Sequence, residues 1–102
     1  MQYEYFNVQL NNNKQRDAYW EYLCGHYSDE EMEKALATLK PDAAKVLDLH
    51  CRNRLSFKEI ARVMNKSVSV VRNHYTISIF RLYAYFNPRV FDKIPEYSQI
   101  AF

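Results

Sequence analysis

The chain has 102 residues, 48% of them hydrophobic and 16% aromatic, which suits one compact domain with one core and excludes a disordered tail. A single glycine, Gly25, and three prolines, Pro41, Pro88 and Pro95, argue for an all-α domain over a turn-rich β one. The net charge of +2 is unevenly spread: residues 1–49 are net −4, residues 50–89 are net +7 with Glu59 as their one acid, and residues 90–102 are net −1. A local basic excess of this size points to an anionic partner, usually nucleic acid.

The opening stretch "MQYEYFNVQLNNN" reads as an extended arm or part of a first helix, closed by the three asparagines. A helix is expected from about Asn13 to Cys24, with Tyr19, Tyr22 and Leu23 on one face and Trp20 beside them. Gly25 suits the position after that helix, where positive φ is needed. "SDEE", Ser28 to Glu31, is a capping box with an acidic first turn that complements the helix dipole. Met32, Ala35, Leu36 and Leu39 form the buried stripe of this second helix. Pro41 fits the first turn of a third helix, whose apolar face is Ala44, Leu47 and Cys51 flanked by Val46 and His50.

Ser56 to Glu59 is a second capping box, opening a helix of about eight residues that ends near Met64. Asn65 tolerates the left-handed conformation of a sharp turn, and Ser67 is a good N-cap for the next helix. That helix is expected to reach about Phe86, with Pro88 as its stop. Ile60 and Met64 face inward, Ala61 is small where two helices meet, and Val71 anchors the second of them. Small residue, turn residue and apolar anchor at these intervals describe a helix-turn-helix.

At 100° per residue, Val71, Tyr75, Ser78 and Leu82 share one side of the last helix, while Ser69, Arg72, Asn73 and Thr76 lie roughly opposite. All four are polar and lie in its first half, where a recognition helix meets base edges. Arg binds guanine and Asn binds adenine with paired hydrogen bonds. Lys58, Arg62 and Lys66 lie where phosphates would pass, and Ser56 and Ser67 add hydroxyls. Phe80 and Tyr83 continue the recognition face beyond the DNA. They are expected to bury against the N-terminal helix or the tail, the alternative being a protein interface.

Residues Leu36 to Phe86 resemble region 4 of the bacterial sigma factors and the related LuxR-type helix-turn-helix domain. The resemblance is carried by Leu39-Lys40-Pro41, by Val46 to His50, by Ser56-Phe57-Lys58-Glu59-Ile60-Ala61, by Ser67 to Arg72 and by Arg81-Leu82. It implies that the domain reads a promoter element and touches RNA polymerase, with Val68, Ser69 and Arg72 at base-facing positions. Val68 is apolar where the family often has a polar residue, and Asn65 stands for the usual glycine. No sigma region 2 is recognisable in the first 35 residues, so a stand-alone region 4-like regulator is expected.

The expected organisation is an N-terminal arm and helices over 1–35, the helix-turn-helix over 36–87 and a tail over 88–102. The expected function is a sequence-specific DNA-binding transcription regulator, with double-stranded DNA as partner and RNA polymerase as the second partner implied. Homodimerisation, known for LuxR-type domains, is open. The alternative is a protein adapter that binds polymerase or a sigma factor through its helix-turn-helix and aromatic surface. With one glycine there is no phosphate-binding loop, and no catalytic grouping is legible. Cys24, His26, His50 and Cys51 lack a common zinc spacing. No enzymatic activity, cofactor or metal is therefore expected. Free thiols, the absence of an apolar run of about eighteen residues and the absence of a leader pattern make a cytoplasmic protein without membrane contact the expectation.

Overall fold

The computed structural model describes residues 10–87. Five α-helices follow one another: α1 (Asn13–His26), α2 (Asp29–Leu36), α3 (Pro41–Leu47), α4 (Phe57–Met64) and α5 (Val68–Phe86). A π-helical turn, Asp48–Arg52, continues α3. Among the described residues there is no β-strand, as the scarcity of glycine and proline leads one to expect.

Local chemistry sets most boundaries. The Asn12 side chain accepts from the Gln15 amide and starts α1. Both capping boxes are formed in full: the Ser28 hydroxyl accepts from Glu31 N–H at 3.1 Å while Glu31 accepts from Ser28 N–H at 2.9 Å. The Ser56–Glu59 pair repeats this at 3.1 and 2.8 Å. Pro41 occupies the first turn of α3, where its missing N–H costs nothing. Asn65 ends α4 at φ 56°, ψ 49°, in the left-handed region. Ser67 caps α5, which runs for 19 residues to Phe86.

Three expectations are corrected. Gly25 lies inside α1, which continues to His26, and no described glycine has positive φ. The Tyr27 amide closes that helix on the Leu23 carbonyl at 2.9 Å, so no left-handed residue is needed. The face of α3 is rotated: Ala43, Val46 and Leu47 are buried, and Ala44 and Cys51 are only half-buried. The third helix also does not run evenly to Cys51. Its last turn widens to the π form, which turns His50 and Cys51 relative to a regular helix. The aromatic opening up to residue 9, the stop at Pro88 and the tail fall outside the described residues.

The core draws on every helix. Tyr19, Trp20 and Leu23 from α1 meet Met32 and Ala35 of α2, Val46 and Leu47 of α3 and Ile60 of α4. The long helix α5 supplies Val71, Tyr75, Ser78, Ile79, Leu82 and Tyr83. The expected inward side of α5, Val71, Tyr75, Ser78 and Leu82, is wholly buried. Ser78 is tolerated there because its hydroxyl donates to the Tyr75 carbonyl at 2.8 Å.

Candidate nucleic-acid interface

The turn between α4 and α5 is fixed from both sides. The Lys66 amide reaches back to the Ala61 carbonyl at 2.9 Å, the closing bond of a left-handed helix end. Ala61, 7% exposed, leaves room for α5 to come close, and Ile60 and Val71 are completely buried at the junction. The Ser67 hydroxyl accepts from Val70 N–H at 3.1 Å and fixes the first turn of α5. Serine hydroxyls at both caps act here as acceptors, so each retains its proton for an outside acceptor.

Ser69, Arg72 and Asn73 are exposed on the first half of α5, and Thr76 is half-buried beside them. Val68 behaves differently. It is half-buried and packs against the core, whereas its neighbour Val70 is 40% exposed. Lys58, Arg62, Ser56 and Ser67 are exposed at the α4 end of the same corner. Lys66 is half-buried, and its ammonium pairs with Asp42 at 3.1 Å. Tyr83, 6% exposed, packs edge-on against Tyr19 of α1, and Phe80 is half-buried against the core. Tyr83 is thus buried against α1, the first of the two expected placements.

Pairing redistributes the basic excess. Arg52 binds Glu33 at 2.8 Å and Asp48 at 3.4 Å and lies over the Trp20 ring, so it ties the π turn to α2 and α1. Arg54, Lys58, Arg62 and Arg72 are exposed and have no ion pair among the described residues. Glu59, the acid of this stretch, is taken up by its capping box, whose bonds to Ser56 hold its carboxyl below the usual carboxylate range. The positive field of the corner is therefore carried by arginine and lysine that outnumber Glu59, the ionised acid beside Arg62.

Behind the corner lies a polar cluster that sequence reasoning missed. Asp17 of α1 accepts from the Tyr75 hydroxyl of α5 and lies 3.1 Å from His50 Nε2. His50 Nδ1 lies 2.9 Å from the Leu55 carbonyl. The imidazole stacks on Phe57 of α4 with centroids 4.3 Å apart and meets Tyr75 edge-on at 4.8 Å. Burial, and then the hydrogen bond to Asp17, raise the Tyr75 pKa and keep its phenol a donor. The Cys51 thiol, 3.7 Å from the Tyr75 hydroxyl, is pushed up to about 12 by burial. Cys24 and Cys51 both carry free thiols. Partners 33 and 58 residues apart leave no periodic signal, and a lone Asp on a helix looks like any solvated acid.

No helix among the described residues is long and apolar enough to cross a membrane. No curated protein and no solved structure matches the chain. Residues 29–76 match the family model of sigma-70 region 4, which singles out the sigma side of the resemblance. The match runs from α2 through the corner to Thr76 on α5 and leaves α1 and the aromatic end of α5 outside it. With the two capped helices, the left-handed Asn65 and the buried junction in place, this segment is a helix-turn-helix similar to sigma-70 region 4, a DNA-binding type of domain.

Proposed function

We propose that the protein is a sequence-specific DNA-binding transcription regulator that lays the first half of α5 in the major groove. The observation that carries this is the exposed polar arc of Ser69, Arg72 and Asn73 on a capped helix, bordered by Lys58 and Arg62, which are exposed and form no ion pair among the described residues. Arg72 and Asn73 read base edges, with Ser69 and Thr76 beside them, while Val68 packs against the core. Lys58, Arg62, Lys66 and the Ser56 and Ser67 hydroxyls bind phosphates and set register. Lys66 would exchange its bond to Asp42 for a phosphate oxygen. Region 4 domains also imply contact with RNA polymerase, and this regulator would act on transcription beside it.

The test is selection of a preferred duplex followed by Arg72→Ala. The variant should lose about 1–3 kcal/mol of discrimination between the selected site and random DNA. An equal fall on both sequences would make Arg72 a phosphate contact and end the base-reading assignment. Capture of polymerase by a chain that binds no DNA would favour the adapter.

A further inference from the structure

The exposed arc of α5 has an apolar flank. Taking Asn73 as its centre, Ser69, Thr76 and Arg72 fall to one side at about 40°, 60° and 100°. Ile77 and Val70 fall to the other side at about 40° and 60°. Ile77 is half-buried, and Val70 is 40% exposed. Among the described residues the other exposed large hydrophobic side chains are Val63 on α4 and Tyr85 at the far end of α5.

Val70 is also held firmly. Its amide is bound by the Ser67 hydroxyl at 3.1 Å. Its branched side chain has one strongly preferred rotamer in a helix. A fixed apolar group loses little freedom on binding. On the major-groove edges of the base pairs the apolar feature is the C5 methyl of thymine. Val68, the apolar residue that the resemblance places at a base-facing position, packs against the core instead.

Resting on the major-groove reading above, we propose that Val70 is a specificity-determining residue whose methyl groups contact the C5 methyl of a thymine next to the base that Asn73 reads. The preferred site then carries a thymine at that step, and part of its recognition needs no hydrogen bond.

Deoxyuridine deletes that methyl and nothing else. The full chain would be used to select a duplex site, and each thymine in it replaced singly by deoxyuridine. Affinities would be read by fluorescence anisotropy for wild type, Val70→Ala and Val70→Thr. One replacement should weaken wild type about fourfold, the value of one buried methyl group. Val70→Ala should bind the thymine and uracil sites equally, the non-additivity expected of groups in contact. Val70→Thr should retain part of the difference. Both variants should keep the wild-type melting temperature within a few degrees, because the side chain is largely outside the core. Wild type indifferent to every replacement would overturn the proposal while leaving DNA binding in place. So would Val70→Ala losing the same factor as wild type at the sensitive thymine. A chain that enriches no sequence and binds no duplex would overturn the major-groove reading and this proposal together.

Discussion

At the scale of single residues, the protein depends on a few side chains that bridge distant parts of the chain. Asp17 receives the Tyr75 hydroxyl and faces His50, so one carboxylate joins α1, the π turn and α5. Asp17→Ala would leave a buried phenol without its acceptor. It should cost about 1–3 kcal/mol in urea denaturation, the penalty of an unsatisfied polar group. Tyr75→Phe should cost no more, and the double variant should cost less than the sum. A change within about 0.5 kcal/mol for Asp17→Ala would place it among ordinary surface substitutions and refute this role. None of this was legible in the sequence, because pairing across 58 residues is decided by tertiary packing and not by local pattern. Val70 was missed for a different reason. The rotation of α5 was legible from its periodicity, but an apolar Val70 beside the polar arc carries no polar signal, and only its 40% exposure shows that it turns outward while Val71 is buried.

At the scale of elements, the sequence was most informative where chemistry is local. Both capping boxes, the eight-residue α4, the left-handed Asn65 and the Ser67 cap follow from residues within four positions of one another. Gly25 and the π turn were not legible, since a glycine tolerates a helix that packing demands and a widened turn has no residue signature. The caps carry a pH signature. Hydrogen bonds to Ser28 and Ser56 lower the carboxyl pKa of Glu31 and Glu59 below the ordinary 4.5. Folded-state values below the unfolded ones mean a contribution present above about pH 4.5 and lost as pH falls through the folded values. Melting temperature should therefore fall on acidification through that window. Glu59→Gln, which keeps the capping hydrogen bond but cannot titrate, should fall less steeply. Parallel slopes for the two proteins would show that this cap is not a source of the acid sensitivity.

At the scale of the whole molecule, the charge asymmetry resolves into two regions with different work. The acidic side chains of α2 and α3 hold Arg52 and Lys66, while the corner of α4 and α5 keeps Lys58, Arg62 and Arg72 exposed. Helix α1 lies outside the family match yet supplies Tyr19, Trp20 and Leu23 to the shared core. We therefore place α1 with the helix-turn-helix as one folding unit, so that α5 is supported along its length. The rigid mounting matters because a recognition helix reads bases only in a fixed register.

The central claim is that this corner binds the DNA backbone through its cations. The most direct test is anisotropy with random-sequence duplex at about 50 and about 200 mM salt. Three to four phosphate-neutralising side chains predict a fall in affinity of about 40- to 150-fold across that range. Binding absent at the lower salt, or present and unchanged at the higher, would contradict the claim.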